Sequence, residues 1–327
     1  ENFSNEIQVT NFIVTTTLGM CTSSDTVAIS IQPLPQASWE TPDGQCLQGN
    51  SFDFNLSGNF SSSANITWNF GQFGNPGTTN IPSPQDVSFS TVGMHYITMQ
   101  LSDWGCASPL YTDSVEIFPM PVANFTAQNV VGCPPLNVSF TNLSSDIGNP
   151  SYNWDMGDGF QMNSFIPVHA YNESGNYGVT LTVTTEQGCS AQYTAHSAVT
   201  VYPQPQAGFS VNPMVLSTAF PKAIITDQSQ GAISWVYTLG DGTTRYERNF
   251  GHEYNSDGEY TITQRVTNQY GCTDEAFYQL KVEPVMTFFI PNAFTPEGDG
   301  KNEIFKCYGL NITDFRMEIY TRWRELV

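Results

Sequence analysis

Apolar and polar residues alternate one by one through most of this chain. In the segment YGVTLTVTT, Tyr177, Val179, Leu181 and Val183 fall on one face of an extended chain, and the threonines between them fall on the other. This period of two is typical of an antiparallel strand with one buried face. Roughly seven such runs, separated by turn residues, recur in each stretch of ~80–85 residues, which predicts an all-β fold of small sandwiches.

The same landmarks recur along the chain at a nearly constant spacing. A segment of the form Pro-x-Pro-x-Ala-x-aromatic occurs three times, as PLPQASW (33–39), PMPVANF (119–125) and PQPQAGF (203–209). A Gly-Cys step ends a strand-like run three times, at Cys106, Cys189 and Cys272, and an earlier member of the series, TLGMC, contains Cys21. A fixed period of this kind indicates repeated domains.

These landmarks divide the chain into five predicted parts. They are the C-terminal part of one repeat, three whole repeats and a segment without counterpart, at residues 1–32, 33–118, 119–202, 203–284 and 285–327. Trp68 and Trp154, near the middle of their repeats, are expected to fill the core between two sheets. The Pro-rich linkers are short and stiff, so the hypothesis is a rod of domains.

Charge is distributed unevenly along the chain. The net charge is −20, and all ten Lys and Arg lie from Lys222 onward, so residues 1–221 carry none. Such a surface repels nucleic acid and acidic membranes, and no apolar run is long enough to span a membrane. A solvated acidic surface is the favoured interpretation, and cation binding is the alternative.

Several turn and strand motifs resemble those of a known family. YNWDMGDG, PVHAY and GNYGVTLTV resemble the PKD domain, whose hallmark is a W-D-F-G-D-G-like turn followed by H-x-Y and G-x-Y-x-V-x-L. The resemblance is good in 119–202, fair in 203–284 and degraded in 33–118, where WNFGQFG lacks the aspartate. It implies tandem Ig-like (PKD-type) β-sandwiches in a rod, and a separate partial small β-sandwich is predicted at the C-terminus.

Seven cysteines in an acidic, strand-rich chain suggest disulfides. One scheme pairs cysteines within a repeat, as Cys46–Cys106 and Cys133–Cys189. The other pairs them between neighbouring repeats, as Cys46–Cys189 and Cys133–Cys272.

The fold implied by the resemblance favours pairing between repeats. In an Ig-like sandwich the early and late cysteines lie at opposite ends, about 20–25 Å apart, whereas a disulfide needs Cα atoms ~4.4–6.8 Å apart. In a head-to-tail array the bottom of one domain abuts the top of the next. This scheme also gives Cys272 a partner and leaves those of Cys21 and Cys106 before residue 1. Cys307 is expected to be a buried apolar thiol.

No catalytic motif is present. The sequence contains no H-E-x-x-H, G-x-S-x-G, P-loop or G-x-G-x-x-G pattern. His169 and His252 recur at the same repeat position, which indicates a structural role. Asp155, Asp158 and Asp241 lie in glycine-rich turns, where side-chain hydrogen bonds to the backbone explain them. We therefore expect no enzyme in this chain and, apart from a candidate calcium loop, no cofactor.

Two weaker patterns mark candidate ligand and modification sites. In EGDGKNE (297–303), Asp299, Asn302 and Glu303 crowd one loop, which resembles half of an EF-hand or dockerin-type calcium loop without the remaining ligands. The tripeptides DTV and DSV match the Asp-[Ser/Thr]-apolar acceptor pattern of O-glycosylation in Bacteroidota, which makes Thr26 and Ser114 candidates. A β-strand role explains both tripeptides equally well.

The segment IPNAFTPEGDGKNEIF (290–305) has no counterpart in the repeats. Together with TRWRE it resembles the gliding motility-associated C-terminal domain of Bacteroidota, the type B sorting signal of type IX secretion. The matching residues are Pro291, Asn292, Ala293, Phe294, Thr295, Pro296, Gly298, Asp299, Gly300, Asn302, Phe305, Arg322 and Trp323. Glu303 and Arg324 depart from the pattern. The chain ends before the family's closing strands, so residues 285–327 are predicted to be the N-terminal part of this domain.

The second resemblance implies a function and partners. It implies the C-terminal stalk and secretion signal of a large surface adhesin, similar to the SprB-like gliding adhesins. The implied partners are the type IX translocon, a PorV-like shuttle, a PorP/SprF-like outer-membrane protein and surface glycans. The alternative is an accessory region of a secreted polysaccharide- or protein-degrading enzyme.

Overall fold

A computed structural model describes residues 2, 6–145, 148–291, 298, 305–312, 314 and 316–318. Every regular element in these ranges is a β-strand, so the predicted all-β class is confirmed. Over the same ranges no helix long and apolar enough to cross a membrane is found. The chain divides into two compact units. The first comprises Glu1–Gln128, Ser139–Val168 and Gly178–His196, and the second comprises Asn129–Val138, His169–Tyr177 and Ser197–Val327.

The N-terminal residues form a long antiparallel hairpin of β1 (Gln8–Leu18) and β2 (Cys21–Ile31). Its register pairs Gln8 with Ile31 and Leu18 with Cys21, and all residues of both strands are exposed. Cross-strand partners point to the same side of a hairpin, so one face carries an apolar stripe that includes Phe12 paired with Val27.

Residues 36–118 contain ten strands that enclose an aromatic core. They are β3 (Gln36–Ser38), β4 (Gln45–Cys46), β5 (Ser57–Asn59), β6 (Asn65–Asn69), β7 (Gly74–Asn75), β8 (Thr78–Thr79), β9 (Ser88–Phe89), β10 (Gly93–Asp103), β11 (Cys106–Ala107) and β12 (Tyr111–Phe118). The main sheet has the order β4-β12-β10-β6-β8, with β11 beside β10. Trp68 is fully buried, and its ring stacks on Phe70 at a centroid distance of 5.8 Å.

Residues 125–201 repeat this pattern with eight strands. They are β13 (Phe125–Gln128), β14 (Val131–Gly132), β15 (Leu136–Asn142), β16 (Ser151–Asp155), β17 (Gln161–Met162), β18 (Val168–Tyr171), β19 (Gly175–Thr184) and β20 (Ser190–Val201). Trp154 on β16 is fully buried, and its ring centroid lies 5.1 Å from Phe125 and 5.6 Å from Phe140. Its indole N–H donates to the Ser164 carbonyl at 2.8 Å. The predicted core positions of Trp68 and Trp154 are thus confirmed.

Residues 209–283 form two facing sheets. Their strands are β21 (Phe209–Asn212), β22 (Val215–Ser217), β23 (Lys222–Asp227), β24 (Ser234–Thr238), β25 (Thr244–Arg245), β26 (Asn249–Glu253), β27 (Gly258–Thr267) and β28 (Thr273–Glu283). The sheet orders are β21-β23-β26 and β22-β28-β27-β24-β25. Ala223 and Ile225 of the first sheet pack into one core with Tyr237, Ile262 and Leu280 of the second.

A tyrosine fills the core position of this last sandwich. Aligning WDMG with YTLG places Tyr237 where residues 119–202 have Trp154. The Tyr237 hydroxyl accepts a hydrogen bond from Gln264 Nε2 at 2.7 Å, and the same nitrogen donates to Asp227 Oδ1 at 2.9 Å. Burial raises the pKa of Tyr237 to about 12. The hydroxyl is therefore neutral and paired inside the core.

After residue 283 the chain forms a two-stranded sheet of β29 (Thr287–Phe289) and β30 (Tyr308–Leu310). Phe288 pairs with Gly309, and all six residues are exposed. Asn311 Nδ2 donates to the Val285 carbonyl at 2.9 Å, which ties the end of β30 to the start of this segment.

Candidate functional site

The most specific chemistry in the described residues is a pair of disulfides, each of which joins two successive repeats. Cys133 is bonded to Cys272, with the Cα atoms 5.5 Å apart. The strand β14 runs parallel to the end of β20, pairing Gly132 with Val201, and this pairing places Cys133 at the C-terminal end of its repeat. Cys272 lies in the turn between β27 and β28 of the following repeat.

Noncovalent contacts support the Cys133–Cys272 bond. Asn268 Oδ1 accepts hydrogen bonds from the Tyr270 and Cys272 amides at 2.9 and 3.0 Å, which fixes the turn. Asn268 Nδ2 donates to the carbonyl of the linker residue Pro203 at 2.6 Å. The rings of Tyr202 and Tyr270 stack with centroids 4.3 Å apart. The turn is therefore attached to the preceding repeat by a covalent bond and an aromatic contact, and to the linker by a hydrogen bond.

The second bond, Cys46–Cys189, has the same Cα separation of 5.5 Å. Parallel pairing of β4 with the end of β12 places Cys46 beside Phe118. Thr185 takes the turn position that Asn268 has in the next repeat, and its hydroxyl accepts a hydrogen bond from the Cys189 amide at 3.2 Å. Both turn cysteines, Cys189 and Cys272, are almost completely buried.

The alternative bonds within a repeat do not occur. Cys46 lies at the Phe118 end of β12, whereas Cys106 precedes the opposite end of that strand. Eight strand residues span about 25 Å, which is far beyond disulfide reach. Cys106 is a half-buried free thiol, and Cys21 is an exposed one. The expectation that Cys307 is buried is wrong, because its thiol is only half-buried, 3.8 Å from Met317 Sδ on an exposed segment.

Peptide mapping of the unreduced protein tests this connectivity. Free thiols are first alkylated, and the protein is then digested without reductant. The expected products are one pair of peptides joined by the Cys46–Cys189 disulfide and another joined by the Cys133–Cys272 disulfide. Cys21, Cys106 and Cys307 are expected to be recovered alkylated, because none is bonded in the structure. A pair of peptides joined by a Cys46–Cys106 or a Cys133–Cys189 disulfide in the mass spectrum would contradict the structure.

The glycine-rich turns show the hydrogen bonding that the sequence predicts. Asp155 Oδ1 accepts from the Gly157 amide at 2.9 Å, and Asp158 Oδ1 accepts from the Phe160 amide at 3.0 Å. Asp241 Oδ1 likewise accepts from the Thr243 amide at 2.9 Å. The predicted role of these carboxylates in the turns is confirmed. Among the described residues no group of three or more His, Cys, Asp or Glu is placed to hold a metal ion.

Asp241 also has a partner that the sequence did not reveal. Its Oδ2 atom lies 2.6 Å from His252 Nε2, and His252 is largely buried against Tyr254. Burial alone would raise the pKa of Asp241, but hydrogen bonds from His252 and Thr243 outweigh it and lower the pKa below its usual range. The recurring histidine therefore anchors the turn, in agreement with the structural role predicted for it.

The two candidate O-glycosylation residues share one local geometry. The Thr26 amide donates to Asp25 Oδ1, and the Ser114 amide donates to Asp113 Oδ1, both at 2.8 Å. Thr26 is exposed and Ser114 is half-buried on their strands.

The candidate calcium ligands Asp299, Asn302 and Glu303 lie outside the described residues. So do most residues of the tail motif, of which Pro291, Gly298 and Phe305 are described. The structure does show that the two flanks of the motif, β29 and β30, pair with each other.

Comparisons with known proteins agree with the repeat analysis. Residues 119–201 and 203–282 each match the model of the PKD domain family. The pre-pro-metalloprotease PrtV of Vibrio cholerae, in two strains, is 32% identical over 166 residues, which are 50% of this chain. The chain spans only 17% of the length of that relative.

Two solved structures give weaker similarities. The PKD1 domain of V. cholerae PrtV is 24% identical with a TM-score of 0.23, and the match covers 25% of this chain and 99% of that domain. The titin I-band fragment I67–I69 is 12% identical with a TM-score of 0.36, over 77% of this chain and 99% of the fragment. From the family match and the two facing sheets, residues 119–201 and 203–282 are tandem PKD domains with an Ig-like fold.

Proposed function

We propose that this chain is the stalk and secretion-signal region of a large cell-surface adhesin, exported across the outer membrane by the type IX secretion system. The observation that carries the proposal is the segment IPNAFTPEGDGKNEIF, which has no counterpart in the repeats and resembles the type B sorting signal. The repeats form the stalk, and residues 285–327 act as the secretion signal. The organism would belong to the Bacteroidota, and the protein would act in gliding or surface adhesion.

The PKD region supports a location outside the cell. PKD domains are typical of extracellular or surface proteins. The two disulfides between repeats also favour an oxidising environment, since such bonds are rare in the cytosol. The strongly acidic surface keeps such a region soluble and away from nucleic acid.

The composition of the tail suits a docking role. Residues 301–327 hold five Lys or Arg and four Asp or Glu, so this segment is nearly neutral in an otherwise acidic chain. The exposed strands β29 and β30 carry Phe288, Phe289, Tyr308 and Leu310. We assign this segment to contacts with the type IX translocon, the PorV-like shuttle and a PorP/SprF-like outer-membrane protein. These partners would recognise it by its strand edges and its charge.

Removal of the tail tests the proposal. A variant without residues 285–327 is expected to be absent from the cell surface and to accumulate on the inner side of the outer membrane, because it lacks the secretion signal. Surface immunolabelling and cell fractionation measure both quantities. Cys21→Ser is a suitable control, since it changes one exposed free thiol and leaves the tail intact. Undiminished surface labelling of the truncated variant would refute the secretion role.

The second candidate is an accessory region of a secreted polysaccharide- or protein-degrading enzyme. The similarity of half the chain to a metalloprotease favours it. The complete gene separates the two functions: a catalytic domain on the same chain supports the enzyme, and further β-repeats support the adhesin.

A further inference from the structure

The two disulfides enclose overlapping stretches of the chain. Cys46–Cys189 closes a loop with a sequence separation of 143, and Cys133–Cys272 closes one of 139. Cys133 lies inside the first loop, and Cys189 lies inside the second. The overlap is the segment 133–189, which contains most of the strands of one PKD domain.

This overlap shortens the covalent path through the repeats. Along the backbone, the sequence separation of Cys46 and Cys272 is 226. The disulfides provide a shorter route, from Cys46 across to Cys189, back along the backbone to Cys133, and across to Cys272. Only the backbone from Cys133 to Cys189, with a sequence separation of 56, belongs to this route.

We propose that the overlapping disulfides make residues 46–272 a length-limited tether. At ~3.4 Å per extended residue, the open backbone would stretch to about 770 Å, whereas the disulfide route stops at about 190 Å. Residues 47–132 and 190–271 stay slack at that limit, so the tension falls on segment 133–189. The inference rests on covalent connectivity and does not depend on the proposed route of export.

A single disulfide already limits the length strongly, and the second, overlapping bond shortens the limit further. Without Cys133–Cys272, the shortest route follows the 83 residues from Cys189 to Cys272, and without Cys46–Cys189 it follows the 87 residues from Cys46 to Cys133. Losing one bond therefore adds only about 90–105 Å to the limit, but losing both adds about 580 Å. This strong departure from additivity is the signature of overlap.

Single-molecule stretching of the 327-residue chain by its ends measures this signature. We compare the fully extended lengths of the unmodified chain, the pair variants Cys46→Ser with Cys189→Ser and Cys133→Ser with Cys272→Ser, and the variant with all four changes. Expected gains over the unmodified chain are about 105, 90 and 580 Å, respectively.

The fully extended length depends on covalent connectivity alone, and peptide mapping of each variant before stretching verifies that the remaining cysteine pair is bonded as in the unmodified chain. Reductant added to the unmodified chain provides a second measurement, with an expected gain equal to that of the fourfold variant. Bonds within repeats would instead make the Cys133→Ser, Cys272→Ser variant gain about 190 Å. That value, increments that simply add, or no change on reduction would overturn the proposal.

Discussion

Replacing Trp154 with alanine is expected to lower the free energy of unfolding of its PKD domain by ~3–5 kcal/mol. The side chain is fully buried between Phe125 and Phe140, and its N–H is paired with the Ser164 carbonyl. Its removal leaves a cavity and takes away the hydrogen bond to the Ser164 carbonyl, which both destabilise the sandwich. Urea unfolding followed by far-ultraviolet circular dichroism measures the change without relying on the lost fluorophore.

Trp104→Ala is the matched control for this substitution. Trp104 is 45% exposed in the β10–β11 turn, so its truncation opens no core cavity. Trp104 has φ 51°, but alanine also carries a Cβ, so the backbone strain stays the same and we expect a change within about 1 kcal/mol. Equal unfolding curves for Trp154→Ala and the unmodified protein would contradict the assigned core position.

The second large effect is expected from Gly157→Ala, with a loss of about 3 kcal/mol or more. Gly157 has φ +80°, and an added Cβ would lie 2.2 Å from the backbone oxygen of Gly178. A backbone atom on a neighbouring strand cannot move aside as a flexible side chain could. The turn that holds Asp155 and Asp158 must therefore shift away from β19, and thermal unfolding detects the loss.

Gly159 in the same turn provides the control. Its φ is +92°, but nothing lies within 4 Å of an added Cβ. Gly159→Ala is expected to cost only the backbone strain, about 1 kcal/mol. The difference between the two alanine variants isolates the steric clash, and a Gly159 variant less stable than the Gly157 variant would show that the close approach to Gly178 is unimportant.

The sequence predicted the fold well because the same alternation of apolar and polar residues and the same turn motifs occur in several repeats. The alternation in β19 predicted that Val179, Leu181 and Val183 point into the core, and all three are fully buried. The favoured cysteine pairs rest on a distance argument that holds for any Ig-like sandwich, so they could be chosen before the structure. Trp154 was identifiable because a large aromatic residue in mid-repeat has few other places to go.

Partners from distant strands could not be predicted in the same way. Gln264 lies at an inward position of β27, where a polar residue looks like an interruption of the pattern. Its partners Tyr237 and Asp227 are 27 and 37 residues away and belong to two different sheets. The Asp241–His252 contact was missed for the same reason. The spacing alone showed that both residues recur, but not that their side chains meet.

The overlapping disulfides also constrain the order of events during biosynthesis. The chain is synthesised from its N-terminus, so Cys106 becomes available to Cys46 before its partner Cys189 does. Likewise, Cys189 becomes available to Cys133 before its partner Cys272 does. Oxidation in order of emergence would therefore produce the wrong bonds. Pairing of β4 with the end of β12 holds Cys46 and Cys106 at opposite ends of a strand. Folding of a sandwich therefore keeps its early cysteine, Cys46 or Cys133, from bonding within the repeat until the next repeat has been synthesised.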